Sequence, residues 1–188
     1  MTTDFASYKL RIEWKPSAYH GQTVRNNLTQ GLWRRIRVKV LELNNNTCSI
    51  CGYTTDDPKL LRRLHVHEIE EFGEKELLCN LQGLNLICAD CHSLHHYGRS
   101  MTVFKKEDIE KMKQHFMKVN NCSEDDYRNF YLNVKKKYLD DAMNGEFIDV
   151  ESELDSTVLY RIDGDIPYKE EAIQQLMDKG LYRYLDDE

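Results

Sequence analysis

The sequence predicts an α+β protein, and three kinds of pattern support this fold class. Two Cys-x2-Cys pairs occur, at residues 48–51 and 88–91. Short segments in which apolar and polar residues alternate predict strands, as in residues 64–69. Segments in which apolar residues recur every three or four positions predict helices, as in residues 32–43. Together these patterns indicate a small metal-braced core with further helices around it.

Composition and charge limit the classes of protein to which the chain can belong. The chain has 188 residues, of which 31% are charged, a length that suits one domain or one and a half. No apolar run approaches the ~18 residues of a membrane span, and no basic-then-apolar leader opens the sequence. We therefore expect a cytoplasmic protein without a membrane partner. The net charge of −6 is uneven, because residues 1–50 carry +5 and residues 151–188 carry −7.

The N-terminal part, residues 1–30, is expected to form a strand and a polar connection. Apolar and charged side chains alternate over residues 8–14, which is typical of a half-buried strand. From Leu32 to Leu43 the apolar spacing becomes four, four and three, which predicts a helix. Three asparagines at 44–46 are expected to end this helix just before the first cysteine pair.

The four paired cysteines are predicted to hold a structural Zn²⁺ within a core over residues 31–100. Because the cytosol keeps thiols reduced, we do not expect disulfides. Two Cys-x2-Cys pairs separated by 36 residues can each clamp one side of a tetrahedral ion. The predicted ligands of this zinc-ribbon-like site are Cys48, Cys51, Cys88 and Cys91.

Several histidines lie within or beside the segment that this zinc would close. Residues 64–69 predict a strand with His65 and His67 on one face, and a second strand leads into the last cysteine pair. The helix that follows carries His92 and His96, four apart and therefore on one face. Imidazoles on a helix and a facing strand can converge on one ion and leave positions open for water and phosphate. Gly98 is expected to stop this helix, and His65 to be a spare ligand or a surface group.

Helices are expected to continue over residues 101–150. Apolar residues at three- and four-residue spacing predict one helix around residues 109–119. Ser123 and Asp126 are spaced as a capping box for a second helix, which Gly145 would end.

The last segment, residues 151–188, is acidic and is expected to contain a strand and a helix. The strand is predicted over residues 158–162, and the helix between Pro167 and Gly180. Three roles remain open for this segment: a solubilising surface, a phosphate mimic that covers the basic face, or docking on a second copy or another protein.

The order of these motifs resembles the HNH endonucleases. The first cysteine pair is followed by Val66-His67-Glu68-Ile69, and the second strand and knuckle read Leu84-Asn85-Leu86-Ile87-Cys88-Ala89-Asp90-Cys91-His92, with His96 one turn later. The resemblance is tight over residues 31–99 and looser from Trp14 to Glu153. It implies a ββα-metal core, in which two strands and a helix surround one catalytic ion, and many members of that family carry the same four-cysteine brace.

The resemblance also implies roles for individual residues. His67, His92 and His96 match the family's ligands of the catalytic ion. Glu68 stands where most members have the histidine that acts as general base, and Gly83 where most have the asparagine that orients it. Both departures occur together in a subgroup with His-Glu in place of His-His. Glu68 would act as a weak base or bind the ion, and we slightly favour binding, which suits Mg²⁺, Mn²⁺ or another divalent ion.

The function implied is hydrolysis of DNA phosphodiester bonds by one divalent ion, with RNA as the alternative substrate, in phage biology, restriction or defence. Basic side chains would contact phosphates and position the nucleic acid without reading its sequence. Two other functions stay open: a catalytically inactive, zinc-dependent nucleic-acid-binding module, and a protein-interaction adaptor. The candidate phosphate contacts are Arg25, Arg34, Arg35, Arg37, Lys39 and Arg99.

Overall fold

The α+β class is confirmed in the computed structural model, which describes residues 5–13, 15–73, 77–143 and 157–184. Within these ranges the chain forms three strands and seven α-helices. The strands are β1 (Leu64–Phe72), β2 (Leu78–Cys88) and β3 (Leu159–Ile162). The helices are α1 (Val24–Asn27), α2 (Gln30–Leu43), α3 (Ala89–His95), α4 (Tyr97–Val103), α5 (Lys106–Asn120), α6 (Glu124–Met143) and α7 (Lys169–Asp178).

The chain divides into two compact units that interleave along the sequence. The described residues of the first unit are 5–13, 46–65 and 86–143, and those of the second are 15–45, 66–73, 77–85 and 157–184. Strands β1 and β2 contribute to both units, with the divisions after His65 and after Asn85.

The N-terminal segment of the first unit is extended but is not the predicted strand. Tyr8, Leu10 and Ile12 are buried and the residues between them are exposed, so the alternation of burial is as expected. No strand includes the described residues 5–13, because a side chain takes the place of a partner strand. The Asn120 amide accepts from the Leu10 backbone N–H at 3.0 Å and donates to its carbonyl at 2.8 Å. Residue 14 lies outside the described residues.

Helices α5 and α6 enclose an aromatic core in the first unit. The fully buried ring of Phe116 contacts the rings of Tyr8, Tyr127 and Phe130, with centroids 5.2 to 5.6 Å apart. The predicted capping box forms before α6, since Asp126 N donates to Ser123 Oγ and the Ser123 backbone N–H donates to the Asp126 carboxylate. The predicted end of α6 at Gly145 falls outside the described residues.

The sequence suggested that Gly98 stops the helix after the cysteines, but the helix ends before this residue. Helix α3 ends at His95, the backbone turns at His96 (φ −109°, ψ 42°), and Gly98 lies within α4. The interruption therefore falls on a histidine of the proposed site, two residues before the glycine.

The second unit contains a three-stranded sheet with the order β1–β2–β3. Strands β2 and β3 are parallel, with Leu78 opposite Leu159 and Leu81 opposite Ile162. Only five residues separate β1 from β2, which is too short for a parallel crossover, so these neighbours run antiparallel. The strand predicted over residues 158–162 is confirmed as β3.

Helix α2 buries most of its predicted stripe. Leu32, Ile36 and Val40 are buried, whereas Leu43 is 63% exposed because it lies in the last turn, past the end of the buried stripe. Two of the three asparagines that follow, at positions 45 and 46, have positive φ, and they end the helix as predicted.

Helix α7 begins two residues later than the proline signal suggests. Tyr168, with φ 59°, is in the left-handed region and precedes the first turn, so Pro167 lies outside the helix. Gly180 follows the helix end at φ 66°, as predicted. In the part of the chain that is described, no helix combines the length and the apolar character needed to cross a membrane.

Candidate metal centres

The four predicted cysteines lie together in the first unit. Their Sγ atoms are all within 4.8 Å of one another, with Cys48 3.8 Å from Cys91 and Cys51 3.5 Å from Cys88. A tetrahedral Zn²⁺ with bonds of about 2.3 Å requires sulfurs about 3.8 Å apart. These distances exclude disulfides, which need about 2.05 Å. The cluster therefore fits a metal ion such as zinc.

Backbone geometry forms the two knuckles that present the sulfurs. In the first, Gly52 at φ 74° donates its N–H to the Cys48 carbonyl at 3.0 Å, which closes a turn that L-residues with side chains rarely adopt. In the second, Cys88 caps α3 and its Sγ accepts from the Cys91 backbone N–H at 3.5 Å. The Ser49 backbone N–H joins the knuckles by donating to the Leu86 carbonyl at 2.9 Å.

The sulfurs cannot all ionise without a cation. Hydrogen bonds from the neighbouring Cys88 and Cys91 lower the pKa of Cys48. The same hydrogen bond with Cys48 raises the pKa of Cys88, to about 12, and also that of Cys91. The neighbouring thiols therefore oppose one another's ionisation, and four thiolates require a bound divalent ion.

His115 on α5 also contacts this cluster, which sequence reasoning did not predict. Its Nε2 lies 3.2 Å from Cys91 Sγ. Burial lowers the pKa of His115, which favours the neutral ring. The helix spacing around residue 115 predicts α5 but carries no signal that this particular side chain meets a cysteine 24 positions earlier.

A second set of donors in the first unit is the pair His92 and His96. Their Nε2 atoms are 3.0 Å apart, and their rings are edge-to-face with centroids 4.4 Å apart. Two imidazoles on one ion, with bonds of about 2.1 Å, have nitrogens separated by about 3.0 to 3.4 Å. His92 is half-buried and His96 is exposed, so a ligand can reach the pair from solvent.

Two further histidines of the first unit have defined contacts. The ring of His65 is stacked on that of His92, with centroids 4.7 Å apart and an angle of 7°, so it packs against that ring instead of lying at the surface. His95 Nδ1 lies 2.8 Å from the Glu13 carboxylate and only 8% of its side chain is exposed. No local sequence pattern pairs His95 with Glu13, because 82 positions separate them.

His67 and Glu68 are described within the second unit. Both lie on β1 and are half-buried, with His67 on the same strand face as His65. Glu68 Oε1 accepts from the Arg25 backbone N–H at 2.8 Å. Burial, with the nearby Glu70, raises the pKa of Glu68 to about 7. Gly83 lies on β2, and a Cβ there would meet the Ile69 side chain at an ordinary 3.7 Å.

Two residues after Glu68 on β1, the Glu70 side chain contacts Lys15 and Cys79. Lys15 Nζ lies 2.6 Å from the Glu70 carboxylate, and Cys79 Sγ donates to the other oxygen at 3.3 Å. Cys79 is fully buried, as expected for a core residue, and burial raises the pKa of its thiol. These contacts engage both oxygens of the Glu70 side chain.

The predicted phosphate contacts differ in how far they are already engaged. Arg35 holds the Glu171 carboxylate through two contacts of 2.9 and 2.7 Å and packs over the Tyr168 ring, and Lys39 pairs with Glu42 at 3.1 Å. The remaining four have different surroundings: Arg25 is exposed over the Trp33 ring, Arg37 is half-buried, and Arg34 and Arg99 are exposed.

The contact between Arg35 and Glu171 bears on the acidic C-terminal segment. Helix α7 also exchanges hydrogen bonds with the residue before α2, since Thr29 N donates to Gln175 Oε1 at 2.8 Å and Gln175 Nε2 donates to Thr29 Oγ1 at 3.2 Å. Three roles were considered for this segment. The Arg35–Glu171 contact, within the described residues, agrees with the role in which the segment covers basic side chains.

Comparison with known proteins adds no assignment. No protein-family model, curated protein or solved structure matches the chain.

Proposed function

We propose that this chain is a metal-dependent endonuclease of the HNH type, which hydrolyses phosphodiester bonds in DNA. The observation that carries the proposal is the pair His92 and His96, with nitrogens 3.0 Å apart. His92 lies on the helix that starts in the cysteine cluster, and His96 directly follows the end of that helix. A closed set of four sulfurs suits a structural ion, whereas a partly exposed set of imidazoles suits an ion with open positions. Phage biology, restriction or defence are the settings to which the sequence resemblance points.

His67 is the proposed third ligand of the catalytic ion. It follows His65 by two residues on β1, and the two side chains therefore project from the same face of that strand. His65 in turn stacks on His92, which fixes the plane of that ligand's ring. The three imidazoles would hold Mg²⁺, Mn²⁺ or another divalent ion, and Glu68 is the proposed acidic partner.

The chemistry of the proposed site follows from these donors. A bound divalent ion would polarise the scissile phosphate and lower the pKa of a coordinated water. Glu68 has one oxygen engaged by the Arg25 backbone N–H, so its second oxygen is the atom proposed to bind the ion or to take a proton from water. A carboxyl with a pKa near neutrality can do either, because burial has already made its charged form unfavourable.

The basic side chains are proposed to position the nucleic acid backbone. Arg35 and Lys39 already contact carboxylates, so a phosphate must compete with Glu171 and Glu42 for them. We therefore expect larger contributions from the exposed Arg25, Arg34 and Arg99 than from these two. The half-buried Arg37 completes the proposed set of phosphate contacts.

The test is a plasmid-nicking assay with zinc-loaded protein and added Mg²⁺, Mn²⁺ or Ni²⁺. One active site cuts one strand, so the expected product of the wild type is open-circular DNA. His96→Ala and His67→Ala should reduce nicking by more than the ~10–100-fold that loss of an outer-shell partner costs. His20→Ala is the matched control, because this exposed histidine contacts only the Lys15 carbonyl among the bonds described for it.

Binding of the same DNA is measured in parallel at two salt concentrations. The histidine variants should bind as the wild type does, because phosphate contacts supply most of the affinity. Equal nicking by wild type and His96→Ala would overturn the catalytic assignment. A structured RNA in place of the plasmid tests the alternative substrate.

A catalytically inactive nucleic-acid-binding zinc module is the second candidate. The Glu68–Arg25 hydrogen bond favours it, because this contact engages the carboxylate that a reaction would use. This function predicts salt-dependent DNA binding without nicking by any of the three ions. Absence of both binding and nicking would instead favour the protein-interaction adaptor.

A further inference from the structure

His115 is placed beside the cysteine cluster by the packing of its helix. The next residue, Phe116, is fully buried, and Met112 one turn earlier is 3% exposed, so α5 is fixed by apolar contacts on both sides of His115. This packing holds His115 Nε2 at 3.2 Å from the sulfur of Cys91, which is itself fully buried. The contact is thus set by the core and does not depend on a mobile surface side chain.

We propose that His115 is a positioning residue for the zinc centre, whose Nε2–H donates a hydrogen bond to the Cys91 thiolate. A zinc-bound sulfur has no proton and can only accept, so the facing nitrogen must carry the hydrogen. Zinc binding therefore selects the Nε2–H form of the ring. The inference goes beyond the proposed nuclease activity and depends only on metal binding at the cysteines.

Charge explains why such a donor is useful. Four thiolates around Zn²⁺ leave two formal negative charges in a largely buried site, and buried charge is unfavourable unless hydrogen bonds compensate it. Cys88 receives a backbone N–H from Cys91, and Cys91 receives the side chain of His115. The imidazole thus does for one sulfur what the helix backbone does for the other.

His115 is not proposed as a zinc ligand. The four sulfurs already have the spacing of a tetrahedral site, and structural zinc sites are almost always four-coordinate. A hydrogen bond from His115 to the sulfur of Cys91 also fits the general finding that hydrogen bonds to metal ligands tune the affinity for the metal.

The proposal is tested with two substitutions that separate volume from hydrogen bonding. His115→Phe keeps a ring of similar size and removes the donor, whereas His115→Gln keeps an N–H at a similar reach. The readout is the rate at which each full-length, zinc-loaded protein loses zinc to a chelator. We expect about 10- to 100-fold faster loss for His115→Phe and a smaller change for His115→Gln. His20→Phe controls for loss of a histidine elsewhere and should match the wild type.

Two further measurements keep the test decisive if His115→Phe does not fold. In Co²⁺-loaded protein, His115→Gln should keep the sulfur-to-cobalt absorption bands close to those of the wild type, because it keeps a donor to Cys91, and His115→Ala, which has none, should shift them. In zinc-loaded wild type, nitrogen NMR should show the proton on Nε2 of His115. A proton on Nδ1 alone, or equal zinc loss by all variants, would overturn the proposal. Wild-type protein that binds no zinc would instead refute the cysteine site itself.

Discussion

The cysteine cluster and the histidine pair lie in the same unit of the molecule, but they differ in closure. Three of the four cysteines are buried and the fourth is half-buried, and the four sulfurs all lie within 4.8 Å of one another. His92 and His96 supply two nitrogens, and one of the two rings is exposed. The first arrangement can satisfy an ion entirely, whereas the second needs further ligands from elsewhere. A complete set of donors suits an ion that stabilises the fold, whereas an incomplete set suits an ion that can also bind a reactant.

The largest effect that follows from this difference is expected from loss of a cysteine ligand. A structural zinc contributes about 10–16 kcal/mol of apparent binding energy in small modules, against a total domain stability of about 5–15 kcal/mol. Cys88→Ser should therefore lose zinc and unfold the first unit, as measured by metal content and circular dichroism. Cys122→Ser is the control, because this half-buried cysteine lies outside the cluster. A folded, metal-free Cys88→Ser protein would show that the cluster is not a structural brace.

The next effect is on the pH dependence of stability. It tests whether the ion proposed at His92 and His96 also binds beside Glu68 on β1. The pKa of Glu68 is raised to about 7 in the folded chain, against about 4.3 when unfolded. As pH rises, the Glu68 carboxyl loses its proton in the unfolded chain before it does so in the folded chain. The contribution of Glu68 to the free energy of unfolding is therefore highest below about pH 4 and falls between about pH 4 and 7. The loss attributable to Glu68 is on the order of 3 kcal/mol.

Urea unfolding at pH 5 and pH 7.5 measures this loss. Glu68→Gln should flatten the pH dependence, and Glu71→Gln, an exposed neighbour on β1, should not. Added Mn²⁺ should also flatten it in the wild type, because a cation beside Glu68 lowers the pKa of its carboxyl. Without an effect of Mn²⁺, the proposed ion is not bound beside Glu68.

Local patterns in the sequence sufficed for the parts of the fold that depend on nearby residues. The Cys-x2-Cys spacing predicted the cluster, and the spacing of Leu32, Ile36 and Val40 predicted α2, because a turn and a helix each involve only a few consecutive residues. The Ser123–Asp126 box likewise predicted the start of α6 from two side chains three positions apart.

Contacts between distant residues could not be predicted in this way. Residues 8–13 have a strand pattern, but Asn120, 110 positions after Leu10, supplies the hydrogen bonds that a strand would have supplied. The engagement of Arg35 by Glu171 spans 136 positions, and a charge pattern alone cannot show which basic residues remain accessible. His115 belongs to the same class, since only tertiary packing brings it to Cys91.

A smaller effect is expected for the side chain that replaces a partner strand. Asn120→Ala removes two hydrogen bonds to the Leu10 backbone and leaves its part-buried N–H and C=O without that partner. Such a loss costs about 1–3 kcal/mol. Urea unfolding should show this decrease in the free energy of unfolding, with zinc content unchanged. The neighbouring Asn121 does not provide a control, because its φ of 48° would strain an alanine. Gln114→Ala, on the exposed side of α5, is the matched control. Loss of zinc in Asn120→Ala would couple the N-terminal segment to the cluster.

The smallest effect on stability is expected at the histidine pair. His96 is exposed, so His96→Ala should change the free energy of unfolding by no more than about 0.5 kcal/mol. It should nevertheless weaken binding of a second divalent ion, measured by titration calorimetry with Mn²⁺ on zinc-loaded protein, because one of the proposed nitrogen ligands is lost. His20→Ala should leave both quantities unchanged. If His96→Ala instead releases zinc and unfolds as Cys88→Ser does, the histidines are part of the brace and the two sets of donors do not differ in role.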